Sequence, residues 1–229
     1  MGKRIITQRR GRGTHTYRVR KKAFRFKPQY PKNLEGEGTV VKLFDSAAHS
    51  SPLAKVTYNE GSFLMHAFKG MFEGQKIKFG GEKGEIRNVG AIPLKTKVFN
   101  IESRPGDGGK FMKSGGNSAT ISKIVGDDVF VLFPSKKTKK LNKNCRATIG
   151  VAAGAGRLDK PIVRAGKQFH IKKSKSKLWP RTSAVKMNAI DHPFGSGRGK
   201  NPKSKIAKRN APPGRRVGLV RPRRTGKRK

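Results

Sequence analysis

Asp191-His192 is the one place in this 229-residue chain where a catalytic histidine could sit, and its surroundings argue for a turn instead. Pro193 comes at once and Gly195 two residues later, both turn formers. The other histidines, His15, His49, His66 and His170, have no metal-ligand spacing. His66 lies in an apolar stretch and reads as a core histidine with its hydrogen bonds made. The single cysteine, Cys145, excludes an internal disulfide and a Cys-based zinc site and fits a reducing compartment. Nothing near it suggests a nucleophile elbow. The Gly-rich run from Arg104 to Lys110 fails as a P-loop, because Arg104 stands where the first glycine is needed and Phe111 comes directly after Lys110. Two readings of that run stay open. It is a tight turn, or a loop whose backbone N–H groups, with Lys110, meet a phosphate backbone. Carboxylate pairs for acid–base work are scarce, no cofactor site emerges, and no enzyme activity is expected.

The charge says more than any of these candidates. The net charge is +42, and it is unevenly placed. Residues 1–33 hold twelve Lys and Arg and no acid, and residues 169–229 hold twenty against Asp191 alone. Residues 34–90 carry seven bases and seven acids, and residues 91–168 carry sixteen bases and five acids. Arms of such charge density repel themselves, so a dense polyanion is needed to hold them in place. Poor in aliphatics, they cannot offset their ordering entropy alone and are expected to be disordered until bound. A membrane partner is excluded by the lack of an amphipathic helix or of an apolar span of about 20 residues. The start, Met1-Gly2-Lys3-Arg4, lacks the apolar stretch of a secretory signal, so a cytoplasmic protein is expected.

The elements that would position these charges are strands. Thr39 to Phe44, Ala54 to Tyr58, Ser62 to Phe68 and Lys76 to Phe79 largely alternate apolar and polar residues. Lys97 to Ile101, Ala119 to Val125, Val129 to Phe133 and Ala147 to Val151 form a second set. Short strands with Gly, Asn and Asp turns predict two successive small barrels, 34–90 and 91–168, between a basic extension 1–33 and a Gly/Pro-rich extension 169–229. From Pro180 onward, repeated Pro and Gly exclude a long helix and predict an extended arm beyond Phe169. Aromatics interleave with base in the arms: Tyr17, Phe24, Phe26, Tyr30, Trp179 and Phe194. They either stack on unpaired bases or pack on the barrels. RNA is preferred to duplex DNA because no helix suits a major groove, no lysine-alanine tail is present, and thin Gly/Pro arms can thread between RNA helices. A DNA-compacting chromatin-type protein is the alternative, with an RNA-modifying enzyme behind it.

Met187-Asn188-Ala189-Ile190-Asp191-His192-Pro193-Phe194-Gly195-Ser196-Gly197 resembles the M-N-P-V-D-H-P-x-G-G-G loop of protein two of the large ribosomal subunit, a universal family. Asn100-Ile101-Glu102 with Pro105 to Gly109, Gly115 to Ala119, and Cys145 to Gly150 are similar to further blocks of that family. Arg209 to Gly218 and the opening Gln8 to Gly13 look archaeal. The matches run in order over nearly the whole chain. Three departures stand out: Thr182-Ser183-Ala184-Val185-Lys186 replaces the usual R-G before M-N, Ser196 replaces a glycine, and the stretch from Arg198 lacks a histidine-bearing segment.

The resemblance implies an OB-fold barrel, then an SH3-like barrel, with both extensions in large-subunit rRNA. It implies a structural, primary rRNA-binding role in subunit assembly, in association with the small subunit, and near the peptidyl-transferase centre. Partners are large-subunit rRNA and neighbouring ribosomal proteins, with no cofactor beyond structural Mg2+ or K+ held by the RNA. Contacts with rRNA are expected from Arg9, Arg10, Arg12, Arg104, Lys110, Lys113, Arg146, Lys186, Asn188, His192, Arg198, Arg209, Arg215 and Arg216. The loop near the catalytic RNA comprises Asn188, Asp191, His192, Gly195 and Gly197, its glycines allowing close approach of backbone to RNA. Arg146→Glu is expected to weaken rRNA affinity with the fold retained.

Overall fold

The computed structural model describes residues 2–80, 85–197, 207, 210–212 and 214–218. They form two compact units: Lys21–Val163, and Met1–Arg20 together with Arg164–Lys229. Residues 21–33, read from charge as part of an arm, belong to the first unit because Ala23, Tyr30 and, just beyond, Leu34 are buried in it.

The Lys21–Val163 unit is mainly β. Its strands are β1 (Gly36–Phe44), β2 (Leu53–Tyr58), β3 (Gly61–His66), β4 (Lys76–Phe79), β5 (Ile86–Asn88), β6 (Lys97–Phe99), β7 (Ala119–Val125), β8 (Asp128–Leu132), β9 (Thr138–Asn142) and β10 (Arg146–Ile149). They lie in the order β3-β2-β1-β4-β5-β10-β6-β7-β8-β9. The β4–β5 pairing is parallel, a single bridge from Phe79 to Ile86, and β5 then pairs antiparallel with β10. Two separate cores result. Val40, Ala54, Val56, Phe63, Met65, Ile77 and Ile86 fill one, with Tyr30 and Leu34. Val98, Ile101, Ala119, Ile121, Val129, Val131, Leu141 and Ala147 fill the other. Two cores on consecutive strand sets fit an OB-fold barrel and then an SH3-like barrel.

Alternation produces these cores: Val56 and Ile77 face in while Lys55, Lys76 and Lys78 face water. It breaks at two bulges. The β1–β2 register shifts between Val40 and Lys42, and β7–β8 shifts between Ile121 and Lys123. The first bulge turns Val41 out to 52% exposure.

The structure departs from the sequence reading in four elements. β9 was not expected, because Leu141 is its one apolar residue beside Lys139 and Lys140, yet it pairs with β8 along its whole length. The three-residue β5 is too short to show a period. The segment predicted to be extended carries α2 (Ala165–Ser174), and a shorter helix, α1 (Ile6–Gly11), lies in the N-terminal arm. The prolines that exclude a helix begin only at Pro180, so 165–174 was free to form one. A ten-residue basic helix also removes the first of the three reasons for preferring RNA to duplex DNA.

Candidate nucleic-acid interface

In the barrel unit the Gly-rich run is a closed turn. Asp107 Oδ2 accepts N–H bonds from Ser103 (2.9 Å) and Arg104 (3.2 Å), and its Oδ1 accepts from Gly109 (3.1 Å). Glu102 accepts from Gly106 and Gly108, and the Lys110 N–H bonds to the Ile101 carbonyl at 2.8 Å. The backbone donors that a phosphate would need are therefore already used, which leaves the tight turn as the reading. Partial burial raises the Asp107 pKa, but the N–H bonds outweigh it and hold the carboxyl below its usual range. Gly109, at φ +94°, is required: a Cβ there would strike the side-chain oxygen of buried Asn100. Arg104 and Lys110 remain exposed. Lys113 turns inward, where Nζ donates to the carbonyls of Pro28 and Gly109, both at 3.3 Å, and burial, then the Lys110 charge, lowers its pKa.

Arg146 is committed to the protein. Its Nε and Nη2 donate to Glu102 Oε1 at 3.2 and 2.8 Å, and Nη1 donates to the Pro31 and Lys32 carbonyls at 2.7 and 3.2 Å. The guanidinium also lies 5.5 Å from the Tyr30 ring centroid. Glu102 is fully buried, so the pair is a structural clamp between β10, the turn and the segment before β1. This corrects the expectation for Arg146→Glu: the change would place two carboxylates together in a buried site and so destabilise the fold. Tyr30 belongs to the same cluster, with its hydroxyl on the Asn100 carbonyl and Thr148 Oγ1 at 2.9 and 2.5 Å, and burial raises its pKa. Phe26 meets Phe44 edge-on and Phe24 meets His49 edge-on, so with Tyr30 three of the arm aromatics pack on the barrel.

His66 is buried as expected but not satisfied. Neither ring nitrogen has a hydrogen-bond partner among the described residues, and the His49 ring lies 5.6 Å away. Burial, then the charges of Lys113 and His49, push its pKa down to about 3.

The second unit is organised around Asn188. Its carbonyl accepts from the N–H groups of Asp191 (3.0 Å) and His192 (3.2 Å), which makes the turn that the sequence indicated. The Lys3 N–H bonds to the Ile190 carbonyl at 2.8 Å, and the Lys3 ammonium lies 3.7 Å from Asp191. Asp191 thus braces the turn against the N-terminus. His192 Nδ1 accepts the Phe194 N–H at 3.1 Å, so the neutral ring carries its proton on Nε2. Partial burial lowers the His192 pKa, which favours that neutral form. Gly195 is buried, and a Cβ there would strike the Asn188 carbonyl oxygen and lie 2.6 Å from that of Met187. Its lack of a side chain lets the loop close on itself, whereas Gly197 faces open space.

Two clefts flank this turn. One, of ≈ 740 Å³, brings together Arg9, Lys186, Asn188, Asp191 and His192 from the expected set. The other, of ≈ 700 Å³, brings together Arg12, His192 and Arg215. Arg10 is half-buried and lines neither cleft, and Arg216 Nε is held by the Ala211 carbonyl at 2.7 Å. Arg198 and Arg209 lie outside the described residues. Sequence reasoning missed Arg4, which lines both clefts, and Arg181, which lines the larger. No spacing rule connects residue 4 with residue 181. Among the described residues no group of three His, Cys, Asp or Glu could hold a metal ion, and no helix is long and apolar enough to cross a membrane.

The family model described as Ribosomal Proteins L2, C-terminal domain, matches residues 82–214. Two curated relatives named large ribosomal subunit protein uL2, from Archaeoglobus fulgidus and Methanocaldococcus jannaschii, are each 43% identical over 242 residues, covering 100% of both chains. The chromatin-type alternative finds no support among them. The chain belongs to the uL2 family of large ribosomal subunit proteins, of archaeal type, and its role is structural and ribosomal.

Proposed function

We propose that the chain is a primary rRNA-binding constituent of the large subunit in the cytoplasm. The observation that carries this is the charge of the second unit: Asp191 is its one carboxylate side chain, and that group is taken by Lys3. Exposed Arg4, Arg9, Arg12, Lys186 and Arg215 surround a neutral His192 whose Nε2–H is available to a phosphate or 2′-hydroxyl. Each phosphate that these cations neutralise releases counterions, so affinity is high and steeply salt-dependent. The barrels dock through exposed Arg104 and Lys110, while Arg146 and Lys113 shape that surface from within.

In this reading the protein glues distant rRNA segments during assembly and supports association with the small subunit. The Asn188–Gly197 loop orders RNA near the peptidyl-transferase centre, and the RNA, not this chain, is the catalyst. Neighbouring ribosomal proteins are its other partners, and any Mg2+ or K+ belongs to the RNA. The test is sucrose-gradient fractionation of source-cell lysate, tracking the protein by mass spectrometry at low and high salt. Persistence in the large-subunit peak after the high-salt wash is expected. Sedimentation with nuclease-sensitive DNA would overturn the reading.

A further inference from the structure

We infer that the larger cleft of the second unit, between α1 and the segment from Leu178 to His192, is a pocket for one unpaired nucleotide of single-stranded rRNA. The inference rests on the rRNA-binding reading and sharpens it. At ≈ 740 Å³ the cleft is of small-molecule size, far more than a phosphate alone requires. Its walls offer the three chemistries of a nucleotide in one place. Ile6, Leu178, Pro180 and Met187 give an apolar surface for a base face. Thr7, Thr182, Ser183 and Asn188 give donors and acceptors for a base edge. Arg4, Arg9, Arg181 and Lys186, all exposed, give cations at the mouth for the flanking phosphates. Sequence-specific RNA recognition uses this combination on bases splayed out of the stack.

The location adds a second argument. Thr182, Ser183, Ala184 and Lys186 belong to the stretch that departs from the family's R-G, and all four line the cleft. Thr182 and Ser183 therefore give this chain's cleft a wall that carries hydroxyls.

The test uses the full chain with a single-stranded RNA oligonucleotide carrying 4-thiouridine, irradiated at raised salt and mapped by mass spectrometry. Cross-links are expected in peptides holding Arg4 to Arg9 and Leu178 to His192, and to persist with excess inorganic phosphate. Cross-links confined to other segments, or lost to phosphate, overturn the pocket. Ala184→Trp fills the cleft without removing a cation. It should lower single-strand affinity about tenfold while leaving duplex RNA affinity unchanged. Equal losses, or none, count against the pocket while leaving rRNA binding intact. A wild-type chain that binds RNA no better than heparin overturns the underlying reading itself.

Discussion

The two units answer their positive charge in opposite ways. In Lys21–Val163 carboxylates meet cations one by one: Glu37 with Lys78 at 3.2 Å, Asp127 with Lys143 and Asp128 with Lys140 at 2.6 Å, and Glu102 with Arg146 at 2.8 Å. Two apolar cores lie beneath them. In the unit containing α1 and α2, Ala211 is the one buried apolar residue among those described, and the turns are held by backbone hydrogen bonds. The barrels therefore carry their own stability, whereas the arms present a polar scaffold of exposed cations whose counter-charge comes from elsewhere. Substitutions at paired or buried groups of the first unit act on folding, whereas those at exposed cations of the second act on RNA affinity.

The sharpest break in that contrast is Arg146→Glu, which removes a cation but should act on folding. Leaving Glu102 buried beside a second carboxylate should cost about 3–5 kcal/mol of barrel stability. Lys140→Ala, at an exposed pair, should cost about 0–1 kcal/mol. Thermal melts of the two variants compare them directly, and equal melting shifts would dissolve the distinction between clamp and surface pair. Next in size is acid sensitivity carried by His66. With a folded pKa near 3 against 6.5 unfolded, the ring is neutral in both states above pH 6.5 and contributes nothing there. Below 6.5 the unfolded chain takes the proton and the folded chain does not, so stability falls, by about 2 kcal/mol at pH 5. Melts of wild type and His66→Phe at pH 7 and pH 5 should show the variant losing less on acidification.

That clamp also shows where sequence reading stops. β1 to β4 and β6 to β8 were legible because one face is apolar and the other is wet, so period two is written in the residues. β9 was not, since Leu141 alone faces the core and its lysines read as a charge run. α2 was hidden by the Gly/Pro-rich stretch on its C-terminal side. At the site, the loop from Met187 to Gly197 was recognisable as a block. Whether the turn after Glu102 could hold phosphate depended on a carboxylate oriented by Arg146, 44 residues away in sequence. The cleft walls were invisible because Arg4 and Arg181 meet only after the chain has returned on itself.

Smaller effects test the second unit from the RNA side. Gly195→Ala forces a Cβ against the Asn188 and Met187 carbonyls, so the Asn188 turn must open and His192 must move. RNA affinity should fall several-fold, with the barrel melting temperature unchanged. A shifted barrel melt would mean that the two units fold as one.

The smallest effect should come from Lys186→Ala. Lys186 is exposed, meets no carboxylate among the described ion pairs, and lines the larger cleft. If it neutralises one phosphate, its loss should weaken binding to all single-stranded sequences about equally. It should also flatten the plot of log affinity against log salt by about 0.7. Lys140, already paired with Asp128 on the barrel, is the matched control, and its removal should leave the slope unchanged. A slope change for Lys140 equal to that for Lys186 would show that charge is read by total and not by place. In that case the contrast between a unit that pairs some of its cations internally and one that leaves them to RNA would fail where it is most finely drawn.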